Sequence, residues 1–232
     1  MGDHRAIADA GRSLVALLRS HLALDEGADS IVLGSPASVA AGSGPGGGGG
    51  AGTSPRLSVY LYRVEPNADL RNAPRRVTDA PGEGDPTAVT PSPLALDLHY
   101  LLTAYPSGST GGATGGGTTG DTWDQHRVLG WAMGTLADHP TLREDDLVGS
   151  LADDPPVHVT PEVTRFEDVV DVWSTFADRP YEPSVGYVLS PVLVESTLES
   201  RGHRVTERAF DTVRIAPGEG PDTATDAEDG ED

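Results

Sequence analysis

PLALDLHYLLTAY (93–105) and TWDQHRVLGWAMGTLADHPTL (122–142) decide how this chain folds. In the first, Leu94, Leu96, Leu98, Tyr100 and Leu102 alternate with Ala95, Asp97, His99, Leu101 and Thr103, the two-residue period of a β-strand. In the second, Leu129, Ala132, Met133 and Leu136 share one face and Trp123 enters from the first turn, which predicts an amphipathic helix over about 122–138. Asp121 or Thr122 is placed to cap it, and Pro140 ends it. The gap between the two, 107–120, is SGSTGGATGGGTTG and reads as a flexible loop.

Working outward, Ala6, Ile7, Ala10, Leu14, Leu17, Leu18 and Leu22 predict a helix over 4–23 started by Asp3. Ile31 to Leu33 is a short strand candidate, and 35–54, with five consecutive glycines at 46–50, reads as a loop. Leu57, Val59 and Leu61 alternate with Ser58, Tyr60 and Tyr62, so 56–64 is a strand. Residues 78–92, punctuated by Pro and Gly, read as an exposed loop. Val157 and Val159 mark a short strand, and Phe166, Val169, Val170, Trp173 and Phe176 mark a helix over 164–177. A strand from Val185 to Val194, kinked at Pro191, follows, with a last element at Arg204 to Ile215. Helices and antiparallel-type strands are mixed rather than alternated. The expected class is α+β, a mixed and mainly antiparallel sheet with two or three packed helices and long disordered-type Gly-rich loops. One domain over 1–216 and an acidic disordered tail over 217–232 are expected.

The charge balance is one-sided, with 36 acidic residues against 16 basic ones and a formal net charge of −20. Every basic residue is arginine, since the sequence has no lysine. Carboxylates in that excess repel one another over about 10 Å in ordinary salt and about 3 Å in molar salt, so a halophilic source is expected. Such a surface also repels phosphate backbones, and no basic stripe offsets it, which excludes nucleic acid as a partner. No cysteine is present, which removes disulfides and thiolate chemistry. The start, MGDHRAIADAGRSLVALL, does not read as an export signal, and no apolar run approaches the roughly 20 residues of a spanning helix. No membrane insertion and assembly in the cytoplasm are expected.

Little in the chain carries chemistry. Without lysine the glycine runs cannot form a phosphate-binding P-loop, and Schiff-base chemistry is closed. Around Ser109 the string SGSTGG lacks the first glycine and the strand-to-helix turn of a nucleophile elbow. Asp97 and His99 share one side of a strand and His126 opens the next helix, so two imidazoles and a carboxylate invite a metal-dependent enzyme reading. The alternative is a polar seam in which Asp97 fixes a histidine and seats the helix on the sheet. Asp145 with Asp146, and Asp153 with Asp154, read as solvated loop carboxylates. No catalytic, cofactor or metal residue is assigned.

Four segments in order, YLYRVEPNADLRNAP (60–74), PLALDLHYLLTAY (93–105), DQHRVLGWAMGTLADHPTL (124–142) and SVGYVLSPVLVES (184–196), resemble the N-terminal domain of the tube-cap, or tail-terminator, protein of phage-tail-like contractile injection systems. The resemblance spans roughly 3–199; the glycine tracts at 42–52 and 107–120 and the acidic tail depart from it. It implies a tail-terminator-like fold and a non-enzymatic homo-oligomeric ring. That ring, a hexamer, would sit on the inner-tube and sheath proteins of a particle that can be released from the cell. It also leaves open a cytosolic assembly chaperone that is absent from the finished particle.

Overall fold

A computed structural model describes residues 2–22, 28–40, 55–71, 76–78, 87–106, 119–163, 165–176, 179–196, 198 and 200–202. In chain order the elements are α1 (Ala6–Ser20), β1 (Ile31–Leu33), α2 (Pro36–Ala40), β2 (Leu57–Pro66), β3 (Arg76–Thr78), β4 (Thr87–Thr90), β5 (Leu94–Ala104), α3 (Thr119–Asp138), β6 (Thr141–Leu142), β7 (Val157–Pro161), α4 (Phe166–Ser174), β8 (Ser184–Val194) and β9 (Ser200–Gly202). Six strands form one sheet in the order β1-β2-β5-β8-β7-β6. The β1–β2 pair is parallel and the other four are antiparallel, so the class is the expected α+β with a mixed sheet. A second, three-stranded sheet has the order β3-β4-β9.

The alternation in β5 sorts its side chains between two layers. Leu96, Leu98, Tyr100, Leu102 and Ala104 join one core with Leu14, Leu17 and Leu18 of α1 and Val128, Ala132 and Leu136 of α3. Leu101 points the other way, into a smaller core with Val169 and Trp173 of α4, Phe176, Tyr60 and Tyr62. A central strand covered on both faces needs apolar residues at almost every position, which is why 93–105 is so rich in leucine. Each fully buried leucine side chain contributes roughly 1.5–3 kcal/mol. Gly11 lets α1 come down on this core: a Cβ there would lie 3.1 Å from both Tyr100 Oη and Leu33 Cδ1.

One buried carboxylate organises the turn under α1. Asp9, 2% exposed, accepts hydrogen bonds at 2.9 Å from both the backbone N–H and the hydroxyl of Ser150. Gly149 has φ +66° and lies against Asp9 with no room for a Cβ, so the turn requires glycine. The Ser150 N–H, aided by the Arg12 guanidinium, holds the Asp9 carboxyl below the ordinary carboxylate range.

Several expectations need correction. The loop expected over 35–54 contains α2, because Pro36 takes the first helical position and the Ser35 hydroxyl accepts from Ser38 N at 3.2 Å. The loop expected over 78–92 contains β4, whose Thr-Ala-Val-Thr run pairs with β3 and β9. Helix α3 begins at Thr119, inside the expected glycine loop. Its inward face is Gln125, Val128, Ala132, Thr135 and Leu136, whereas Trp123 and Met133 are exposed. Helix α4 is shorter than expected, and Phe166 and Val170 lie outside its core. The glycine tracts, the element expected at 204–215 and the acidic tail lie outside the described residues. Among the described residues no helix is long and apolar enough to cross a membrane.

Candidate functional site

Asp97, His99 and His126 are not brought together. Asp97 and His99 lie on the α4 side of the sheet, because they alternate with the leucines, while α3 packs on the leucine side. His126 is exposed on α3. Strand pleating is the reason: adjacent residues face opposite layers, and one helix cannot meet both. Among the described residues no group of three or more His, Cys, Asp or Glu is placed to hold a metal ion.

Asp97 and His99 are each tied into a separate polar knot. Asp97 Oδ1 accepts from Asn67 Nδ2 at 2.8 Å and from the Ser190 hydroxyl at 2.5 Å. Asn67 Oδ1 in turn accepts from the N–H groups of Asp69 and Leu70 at 3.1 and 2.9 Å, which fixes the turn after β2. His99 is buried, and its Nδ1 lies 3.1 Å from Glu162 Oε1. Arg63, its neighbour in register on β2, reaches Glu162 at 3.3 Å and Glu65 at 3.5 Å. The Tyr62 hydroxyl donates to Glu162 Oε2 at 2.5 Å. Four side chains thus close around His99 from β2 and the end of β7, which is the geometry of a clamp between strands.

The polar seam between sheet and α3 exists, but other residues make it. Arg56, 4% exposed, donates from Nε to the Tyr105 carbonyl at 3.2 Å and forms an ion pair with Asp124 of α3. Gln125 Nε2 donates to the Ala104 carbonyl at 2.7 Å and to Glu182 at 2.6 Å. Beside it the Tyr105 hydroxyl lies 3.0 Å from the Ser58 hydroxyl, and burial pushes its phenol up to about 12. A lone arginine just before a strand and an Asp-Gln pair in a helix carry no spacing signal, so sequence reasoning missed them. Of the paired carboxylates, Asp154 accepts from the Gly2 backbone at 3.0 and 2.9 Å and Asp146 from the Arg143 backbone at 3.2 Å, while Asp145 and Asp153 are exposed.

What remains for function is the surface. The main sheet ends in β1 and β6, three and two residues long, and Arg19 donates to the Ile31 carbonyl of β1 at 2.6 Å. Short, partly capped edges resist adding a strand from outside. The three tryptophans divide: Trp173 is buried and donates to Ser184 Oγ at 3.3 Å, Trp131 donates to the His21 carbonyl at 3.1 Å, and Trp123 is 75% exposed. Around α4, Phe166, Val170 and Tyr181 form an exposed apolar surface, with the Phe166 and Tyr181 rings edge to face at 5.9 Å.

Comparison with known proteins agrees with this reading of the fold. The family described as the Pvc16 N-terminal domain matches residues 9–207. The solved sheath/tube terminator of an extracellular contractile injection system, PVC, in its extended state superposes with a TM-score of 0.55 at 18% identity. That match covers 90% of this chain and 64% of the other, so this chain spans less than two thirds of that terminator's length. The tube-terminating cap of the anti-feeding prophage gives a TM-score of 0.45 at 17% identity, over 67% of this chain and 48% of the cap. No curated protein gives a significant match.

Proposed function

This chain belongs to the family of Pvc16 N-terminal domains, and from that premise we propose that it is a structural subunit of the cap that ends a contractile injection particle. The carrying observation is the family match over 9–207, which includes every strand of both sheets. The similarity of its fold to a sheath/tube terminator supports the same reading. So does the surface: the buried polar side chains clamp elements together, while Trp123 on α3 and Phe166, Val170 and Tyr181 at α4 leave apolar groups exposed that suit contact with other subunits.

In this reading the chain is not an enzyme. Six copies close into a ring on the last layer of inner tube and sheath, and the ring halts the addition of further layers. Assembly takes place in the cytoplasm, and the finished particle carries the cap. Residues 1–216 act as one cap domain and 217–232 as a solvated tail. Electron microscopy of particles produced with and without this chain tests the proposal. Overlong or ragged tubes are expected in its absence, and unchanged lengths would refute termination. Mass spectrometry of purified particles should find about one ring of this chain per particle. Its complete absence would instead identify an assembly chaperone.

A further inference from the structure

Two helices carry apolar residues that their sequence pattern assigns inward and the fold leaves outside. On α3, Trp123 is 75% exposed and Met133 40%. At α4, Phe166 is 69% exposed, Val170 41% and Tyr181 47%. The outer rings are held in place, since Tyr181 packs edge to face on Trp173 at 5.6 Å and Phe166 on Tyr181 at 5.9 Å. Because α3 covers the leucine side of the sheet and α4 the Leu101 side, the two surfaces face away from each other. They cannot cover one another within one chain.

The α3 surface has a defined character. Trp123, Arg127, Gly130, Gly134 and Ala137 follow at helical spacing and are all exposed. From Leu129 through Ala137 no residue is charged. A Cβ added at Gly130 or Gly134 would meet nothing within 4 Å, so this chain draws no packing from their missing side chains. Each glycine nevertheless costs the helix about 1 kcal/mol relative to alanine. The smooth stretch beside Trp123 lets a bulky group from another molecule approach the helix backbone.

We propose that the two surfaces meet between successive copies of this chain, the outer face of α3 on one copy receiving Phe166, Val170 and Tyr181 of the next. This rests on the cap reading and adds to it the surface that joins the subunits. Two different patches on opposite sides make a head-to-tail contact, the kind that closes into a ring, whereas a self-complementary patch stops at a dimer. Charge points the same way. Copies with a net charge of −20 repel, and contact is tolerable where carboxylates do not face carboxylates. The exposed Glu167, Asp168 and Asp171 of α4 then meet a strip with no carboxylate from Leu129 through Ala137, which carries Arg127, 64% exposed and paired with Asp124, and reaches Asp138 only at its end. An enclosed aromatic buries ~150–250 Å², so the exposed parts of Trp123 on one side and of Phe166 and Tyr181 on the other supply roughly a quarter of the ~800 Å² per partner of a stable interface, and the residues around them must supply the rest.

The absence of native cysteine makes a direct test available. Full-length chains carrying Gly134→Cys, Val170→Cys or both are treated with a short bis-maleimide, as purified protein and within particles. The doubly substituted chain should give a ladder of covalent oligomers ending at the ring size, while each single variant stays monomeric. A ladder missing from particles that contain the chain overturns the interface and leaves the cap reading standing; particles that lack the chain overturn both. Dimers from Gly134→Cys alone would mean symmetric α3 pairing and also overturn it. So would protection of Val170→Cys from thiol reagents in the isolated monomer, which would mean that the chain's own residues 203–232 cover the patch. Gly134→Arg, whose Cβ meets nothing within 4 Å in the monomer, should keep the circular dichroism of the folded chain yet lower its incorporation into particles about tenfold or more. Normal incorporation contradicts the proposal.

Discussion

Replacing Asp124 by alanine removes the carboxylate that a buried guanidinium faces. Arg56 sits where β2 begins, its side chain 5% exposed, and faces the Asp124 carboxylate across the seam to α3. Removing one member of a buried pair costs ~3–5 kcal/mol, because the remaining charge has lost both water and its counter-charge. Asp124 retains 19% exposure, so water relieves part of the loss and about 3 kcal/mol is expected. One kcal/mol shifts Tm by about 2–4 °C in a domain this size, so the variant should melt roughly 6–12 °C lower. Arg127 also contacts Asp124, at 2.8 Å, but with a side chain 64% exposed its removal should cost only ~0.2–1 kcal/mol. Arg56→Met with Asp124→Leu removes both charges and fills the seam, and should return to within about 1 kcal/mol of the parent. Urea melts followed by far-ultraviolet circular dichroism measure all four proteins without changing ionic strength. A loss under 1 kcal/mol for Asp124→Ala, or a double variant no more stable than the single one, would refute the reasoning.

Three further outcomes are expected. The folded Asp9 carboxyl is depressed below its ordinary value, so its stabilisation is present above an unfolded value of about 3.9 and is lost as pH falls through the folded one. Asp9→Asn should therefore be less stable than the parent at neutral pH by ~1–3 kcal/mol, with the gap closing as pH falls below about 4; a constant gap rejects this. Burial raises the phenols of Tyr100, Tyr105 and Tyr187, Tyr105 to about 12. Their contribution is intact below an unfolded value of about 10 and lost as pH rises through the folded values, so tyrosinate absorbance should report unfolding above about pH 10, later in Tyr105→Phe. If the excess of 36 acidic over 16 basic residues reflects a salt-rich setting, the urea midpoint should climb as KCl rises from ~0.1 to ~1 M; a flat or falling midpoint removes that reading.

Much of the fold was legible because its elements announce themselves locally. The strands at Leu57–Pro66, Leu94–Ala104 and Ser184–Val194 follow from a two-residue period, and α1 from a three-and-four one. Strands β3, β4 and β9 were illegible, since runs of three or four residues hold shape only through pairing with distant partners. The candidate metal triad failed for a reason already present in the alternation: leucines facing α3 force Asp97 and His99 to face away from it. The real seam joins residues 68 apart, Arg56 and Asp124, and the clamp on His99 uses Tyr62 and Glu162, 100 apart. No local spacing encodes such meetings.

By itself, then, the sequence determined the kinds of elements, their order and the family likeness, because backbone period and hydrophobic pattern act over a few residues. Tertiary structure alone decided which layer each face enters and which polar groups meet across it. It also decided that Trp123, Met133, Phe166 and Val170 remain outside. An apolar stripe states that a helix needs cover; whether the same chain or another copy supplies it depends on the shape of the whole, which periodicity does not carry.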